Sequence, residues 1–494
     1  MNAPIKHVSA KSELQNVSSD GCDHSLEIES IFTNLLKMRM IRNNIFTRYH
    51  AKTDLEQETF MIPTAKSAIS THPIRHPWLS MADTGSPAWW QKLQACGTPV
   101  IEEHHDNTCT VAFFWRDPYG KEHQSDICQV LLDVNSVTDH HSWTPTSLER
   151  ISGTDIWFKT LVLEATWRGS YSFIPLRPNE LPNTQNQCGN DEQQRQWWLS
   201  IAANAVADDC NPWRTHTGGW GPASALHLPG AIPQQPWKNI DFGKSDPCQP
   251  TTLKVLEWNS ERLQRQRPVW VYSSASQPDT NLPLVILLDG RRWIEAMPVL
   301  PVIEEQTQAG HMKPAVYVLI DSINGAVRSE ELPCNRRFWE AVQQELLPLV
   351  RQFHSFTDQP QKTVVVGQSF GGLAALYAAL HWPERFGAVV SQSGSFWWPH
   401  DHLIRHENTM TVQPSDALGW LGEQILSGLG ARDQLTVFME VGRREGLMNA
   451  FNHNIHDALL SAGHHLMYRQ FDGGHDVLCW RGGVIDGIQW TLQT

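Results

Sequence analysis

The stretch TVVVGQSFGGLAALYAAL, residues 363–380, constrains this chain more than any other. Residues 363–366 are a short apolar run rich in β-branched side chains, the pattern of a buried strand, and 371–382 are Ala/Leu-rich, the pattern of a helix. Between them stands Gly367-Gln368-Ser369-Phe370-Gly371, a G-x-S-x-G sequence. Glycines two residues either side of the serine lack Cβ atoms, so strand and helix can approach closely while Ser369 occupies a strained turn. Such a turn presents the hydroxyl at the helix N-terminus and leaves the backbone N–H of Phe370 available to a developing oxyanion. A glycine-rich turn with an incidental serine needs neither flank to be correct, and here both are.

The surrounding sequence supports that geometry. Further strand patterns fall at 268–273, 283–288, 315–320, 388–391, 435–441 and 466–471, and helical patterns at 338–353 and 447–463. Strands alternating with helices of this length predict an α/β domain over 251–494, with a mostly parallel sheet covered on both faces. A serine turn in such a sheet predicts the α/β-hydrolase order, with an acid and then a histidine downstream. His475, in FDGGHDVLCWRGG, follows a strand pattern and a D-G-G loop, which makes it the candidate base. His453, His456, His464 and His465 compete but fall in a helix or at a strand start. Glu445 follows the strand LTVFMEV and is the candidate acid, with Asp472 and Asp457 as runners-up and a Ser-His dyad still open. The D-G turn after 283–288 makes Gly290 or Arg291 a candidate second oxyanion donor beside Phe370.

Upstream the pattern changes. Residues 1–85 are polar apart from an amphipathic stretch at 26–41 and read as a poorly ordered or extra segment. Short runs such as TCTVAFFWR, ICQVLLDV, TDIWFKTLVLEA and GSYSFIPL, separated by turn signals, predict an all-β sandwich within 86–250. Residues 180–250, rich in Pro, Gly, Asn and Gln, read as a loop-rich linker.

Net charge is −13, and neither half is basic: 20 Lys/Arg face 27 Asp/Glu over residues 1–250, and 19 face 25 beyond. Phosphate-binding lysine and arginine clusters are missing, so nucleic acid is a poor partner. No apolar run reaches the length of a membrane span, and the N-terminus carries no apolar signal core, which predicts a cytoplasmic, soluble protein. The nine cysteines include no C-x-x-C pair, which disfavours a disulfide framework or structural zinc. The paired histidines at 104/105, 140/141 and 464/465 lack helical ligand spacing, and nucleotide motifs are missing, so no catalytic metal and no nucleotide are expected. Arg291, Arg292, Arg328, Arg443, Arg444 and Arg481 fall in loops at the edge where α/β ligands bind. The 22 tryptophans outnumber the 17 phenylalanines and, separately, the 7 tyrosines, and Trp293, Trp397, Trp398 and Trp480 lie beside the motifs.

Longer strings go further. AVYVLIDSIN, ELPCNRRFWEAVQQELLPLV, VVVGQSFGGLAALYAALHWPERFGAVVSQSGSFWWP and DGGHDVLCWRGG, with FFWRDPYG and WRGSYSFIP upstream, closely resemble the cytoplasmic enterochelin (enterobactin) esterases of Gram-negative bacteria over residues 86–494. The resemblance implies an esterase D type of α/β-hydrolase domain preceded by a β-sandwich that helps cover the active site. It implies Ser369 as nucleophile, His475 as base, Glu445 as acid, and oxyanion donors near Gly290 and Phe370. The implied substrate is the ferric complex of a cyclic tri-lactone of 2,3-dihydroxybenzoyl-serine, hydrolysed after import so that iron can be released. Iron then enters as part of the substrate and no protein-bound cofactor is needed. A trianionic aromatic ligand calls for arginine donors and flat rings, and Arg291, Arg292, Arg328, Arg481, Trp397 and Trp480 are the expected contacts. Residues 1–85 fall outside the resemblance, as an extra segment or an over-extended start with Met38, Met40 or Met81 as internal candidates. Two rivals remain: an esterase D-like hydrolase of another small ester or thioester, and a non-catalytic ferric-siderophore binding protein.

Overall fold

The computed structural model describes residues 76–182, 191–277, 281–400 and 417–493. The amphipathic stretch expected at 26–41 lies outside the described residues, as does the polar segment up to residue 75.

The β/α rhythm of the second half builds one eight-stranded sheet. Its spatial order is His465–Phe471, Thr436–Gly442, Ala388–Gln392, Thr363–Gln368, Leu284–Leu287, Val316–Ile320, Arg265–Ser273, Lys254–Ser260. Arg265–Ser273 runs antiparallel to both of its neighbours, and the other neighbouring pairs are parallel. Alternate residues of one strand enter opposite cores: Val364 and Val366 face the helix Val477–Gln493, and Val365 faces the helix Phe370–His381. Burial on both faces is why these strands read as unbroken apolar runs.

The helical pattern at 338–353 is a single helical run with an irregular centre. Arg336–Ala341 passes through a wider turn, Val342–Leu346, in which Leu347 N–H reaches Val342 O, and then into Leu347–Arg351. Pro348 has no N–H to donate, so the run accommodates it by widening the preceding turn. The strand Lys254–Ser260 precedes every strand expected in this domain; its alternation of exposed and buried residues is that of an edge strand.

The first half forms two four-stranded sheets, Val100–Glu103, Thr108–Arg116, Ile156–Glu164, Glu149–Arg150 and Gln129–Val134, Arg168–Leu176, Pro222–His227, His216–Thr217. Val111, Phe113, Val130, Leu132, Tyr171 and Phe173 fill the space between them. Each sheet also packs a helix on its outer face. Trp89, Trp90 and Leu93 of Pro87–Cys96 cover Phe114 and Phe158, and Trp198 and Ile201 of Asp191–Ala202 cover Ile174 and Leu176. The 180–250 stretch is therefore more than a linker. It supplies a covering helix and two sandwich strands, the strands hidden in the sequence by the Pro and Gly at their junction.

Candidate active site

At the C-terminal edge of the large sheet, Thr363–Gln368 turns into Phe370–His381 through Ser369 at φ 59°, ψ −122°, a conformation ordinary L-residues avoid. The turn is enforced by sterics. A Cβ on Gly367 would lie 2.2 Å from the backbone of Gly371, so only glycine lets strand and helix meet there. Ser369 N–H donates to Gln392 O and Ser395 N–H to Ser369 O, both at 3.0 Å, which fixes the serine against the loop after the next strand. Its hydroxyl lies 3.1 Å from Ser395 Oγ. Phe370 opens the helix, so its N–H is one of the donors left without an intrahelical partner.

Two strands further on, Glu445 follows Thr436–Gly442. Its carboxylate is buried and fully engaged: Oε1 accepts from Gly442 N–H at 2.8 Å and Ser393 Oγ at 2.6 Å, and Oε2 lies 2.7 Å from His475 Nδ1. With Nδ1 held by the carboxylate, Nε2 is the ring nitrogen free to take a proton. The imidazole is partly open to solvent and meets the buried Trp480 edge-on, 4.6 Å between centroids, while Trp480 Nε1 donates to Ser393 Oγ at 2.9 Å. Ser393 thus joins Glu445 to the indole beneath His475. Serines are common in loops, and the sequence held no sign of this role beyond the polar run SQSGS.

On the other side of the strand that leads into Ser369, Leu284–Leu287 ends in Asp289, which is buried at φ 56°, and then Gly290. A Cβ on Gly290 would lie 2.7 Å from Leu319 carbonyl carbon, so the turn requires glycine. Asp289 is held bidentately by Arg328, with both bonds at 2.7 Å, and accepts Ser322 Oγ at 2.6 Å. Burial pushes the Asp289 carboxyl up and Arg328 pulls it down, and the net result lies below its ordinary value of 3.8. Arg328 also donates to Gln368 O at 3.1 Å, bracing the last residue before the serine.

Beneath these turns a polar row crosses four strands. Gln368, Gln392, Glu440 and Arg469 are paired neighbours. Gln368 Nε2 donates to Gln392 Oε1 at 2.9 Å, Gln392 Nε2 to Glu440 Oε1, and Arg469 Nε to Glu440 Oε2 at 2.6 Å. Trp293 Nε1 closes one end on Gln368 Oε1 at 3.2 Å.

The arginines expected around the substrate divide. Arg292 and Arg443 are exposed and make no ion pair among the described residues. Arg291 is exposed but bound to Asp321 and Glu295, and Arg444 holds Asp472 at 2.6 Å. Arg328 is committed to Asp289. Arg481 is corrected outright: it is 3% exposed, with both terminal nitrogens 2.7 Å from Asp241 and Nε 2.7 Å from Gln234, so it ties the two halves of the chain together and cannot face a ligand. Trp480, at 2% exposure, is likewise a platform under His475 and offers no stacking face to solvent. Trp397 is 8% exposed and packs against Phe370, 5.5 Å between centroids, and Trp293 is fully buried. These indoles serve the core. Asp472 and Asp457, the alternative acids, pair with Arg444 and His456.

One group of described residues has the spacing to hold a metal ion: His453, His456 and Asp457 on the helix Leu447–Ser461, away from the serine turn in the chain. No helix among the described residues is long and apolar enough to cross a membrane.

The strained serine turn, the buried acid bonded to a histidine and the eight-stranded sheet define an esterase of the α/β-hydrolase class, carrying an N-terminal β-sandwich. Two family models match, "Enterochelin esterase, N-terminal" over residues 110–237 and "Esterase" over 260–491. An iron(III) enterobactin esterase of Dickeya dadantii is 46% identical over 419 residues, 84% of this chain and 94% of that protein. The iron(III) enterobactin esterase of Escherichia coli K12 is 41% identical, over 82% of this chain and 96% of its own. The crystal structure of ferric enterobactin esterase from Salmonella typhimurium superposes with a TM-score of 0.73 at 40% identity, covering 83% of this chain and 99% of that one. The Shigella flexneri enterobactin esterase, crystallised in the presence of enterobactin, superposes at 0.68, also at 40% identity, over 83% and 98%. The chain belongs to the enterochelin esterase family.

Proposed function

We propose that this esterase hydrolyses the ester bonds of a ferric catecholate siderophore of the enterobactin type in the cytoplasm, so that the iron can be released. The observation that carries the reading is the pairing of Glu445 with His475 at the strand edge that also holds Ser369 in its strained turn. Ser369 Oγ rotates from Ser395 toward His475 Nε2 and attacks a lactone carbonyl while the imidazole takes its proton. Glu445 fixes the tautomer and steadies the imidazolium. The N–H groups of Phe370 and Gly290 receive the oxyanion. His475 returns the proton to the leaving seryl oxygen, and water then cleaves the acyl-enzyme by the same steps in reverse. Iron travels with the substrate, and the chemistry asks for no resident cofactor. Exposed Arg292 and Arg443 supply local attraction to a trianion on a protein whose overall charge is repulsive.

Product analysis after incubating the purified protein with ferric enterobactin tests this reading. Linear trimer, dimer and 2,3-dihydroxybenzoyl-serine are the expected products, and Ser369→Ala should lower their formation by about 10⁴-fold or more while the fold is retained. Intact siderophore beside rapid hydrolysis of simple aryl or thioesters would point to the small-ester alternative. Undiminished turnover by Ser369→Ala would remove the serine mechanism.

A further inference from the structure

The loop that carries His475 is gripped from the other domain. Arg168 N–H, at the start of the sandwich strand Arg168–Leu176, donates to Asp472 O at 3.0 Å, and Thr166 Oγ1 donates to Asp472 Oδ2 at 2.9 Å. Past the histidine, Ser170 N–H donates to Asp476 Oδ2 at 2.7 Å, and the Arg168 guanidinium to Cys479 O at 3.0 Å. The fit is tight: a Cβ on Gly473 would lie 2.6 Å from Arg168 O, and one on Gly474 2.4 Å from Ser136 Cβ. From its own domain the loop receives Arg444, through N–H to Gly473 O at 3.2 Å and through Nε to Asp472.

Asp476 is the pivot. It is buried, and its second oxygen accepts Leu478 N–H at 3.1 Å, capping the helix Val477–Gln493. One carboxylate therefore joins the first turn of that helix to a sandwich strand, next in sequence to the histidine. Asp133 of the strand Gln129–Val134 and His216, which meets Ser170 Oγ at 2.8 Å, interact with it electrostatically from the sandwich, and Cys479 and Arg481 do so from the helix that follows it.

We propose that Asp476 is a positioning residue for His475, and that the sandwich is thereby part of the catalytic apparatus. This rests on His475 acting as the base. Turnover depends steeply on such placement, since a displacement of about 1 Å can cost about 10²-fold. The cap alone would stabilise the helix; the bond to Ser170 sets where the helix, and the histidine before it, lies relative to Ser369.

Asp476→Ala, Asp476→Asn and Thr166→Val in the full chain provide the test, with p-nitrophenyl butyrate as substrate and the far-downfield proton of the His475–Glu445 hydrogen bond as the spectroscopic readout. Asp476→Ala should lower kcat by about 10²-fold with KM within about threefold of wild type, and broaden that proton signal. Asp476→Asn, which keeps one acceptor, should lose less, and Thr166→Val, which removes one sandwich contact, about two- to fivefold. Wild-type kcat and an unaltered proton signal in Asp476→Asn and Thr166→Val overturn the proposal, including where Asp476→Ala fails to fold. The aryl ester reports on the triad alone, so wild-type protein that cleaves it but not ferric enterobactin would defeat the substrate reading and leave this one standing.

Discussion

Two buried carboxylates lie on either side of the strand that leads into Ser369, and they are satisfied in opposite ways. Asp289 faces a guanidinium that is charged at every accessible pH, bidentate at 2.7 Å. Glu445 faces neutral donors, Gly442 N–H and Ser393 Oγ, on one oxygen and a titratable imidazole on the other. A carboxylate already neutralised by arginine has little left to offer a charge that appears during a reaction. One with neutral donors keeps its charge for an imidazolium. Under the proposed mechanism the contrast separates a brace from a participant without reference to sequence position.

Between the two carboxylates the larger effect on turnover comes from Glu445→Gln, which keeps the shape but reverses the polarity of the bond to Nδ1. It should lower kcat by about 10²–10⁴-fold with the melting temperature little changed, measured by steady-state kinetics and calorimetry. Asp289→Asn should do the reverse. It strands Arg328, and loss of one partner of a buried pair costs about 3–5 kcal/mol, visible in urea unfolding. Because Arg328 holds Asp289 below 3.8, the pair's contribution is present above that pH and fades as pH falls through the depressed value. Wild type should therefore lose stability below about pH 4 more steeply than Asp289→Asn. Equal acid limbs would make Asp289 no more a brace than Glu445.

Ser393→Ala sharpens the participant side. It removes one donor to Glu445 and leaves Trp480 Nε1 unpaired, a loss of about 1–3 kcal/mol, with a drop in kcat of about tenfold. The last effect concerns a third carboxylate and is read through its pH dependence. Burial first, then the charge of Asp476, pushes Asp133 up to about 7. A raised carboxyl favours the folded state below its unfolded value near 4 and loses that favour as pH rises through about 7. Asp133→Asn should accordingly gain stability over wild type as pH rises from about 4, levelling off above about 7. A melting-temperature difference independent of pH would overturn that assignment.

The serine turn, the histidine loop and the β/α order were legible because each rests on short-range rules: glycine where a Cβ cannot fit, apolar runs where both faces are covered. The pairing of Glu445 with His475 was legible only as far as the place of Glu445 after a strand. The arginines and tryptophans were not, because which partner an arginine meets is decided by residues far away, Asp241 for Arg481 and Asp289 for Arg328. The strands His216–Thr217 and Pro222–His227 were not, because the first has only two residues and the Gly and Pro at their junction, which usually mark loops, here join two paired strands. Ser393, Ser395 and Asp476 are ordinary residues made important by what folds against them.

The row Gln368, Gln392, Glu440 and Arg469 bears on how the sheet is assembled. Adjacent parallel strands of β-branched residues are nearly interchangeable along their length, and a slip of one residue inverts every side chain between the two faces. In this sheet such a slip would drive an amide or a charge into an apolar layer and leave its neighbour unpaired. Gly483 reserves the space, since a Cβ there would lie 1.9 Å from Glu440 Oε1. The row therefore acts as an alignment check: four strands can settle only with their ends level, and level ends bring the serine, acid and histidine loops to one edge.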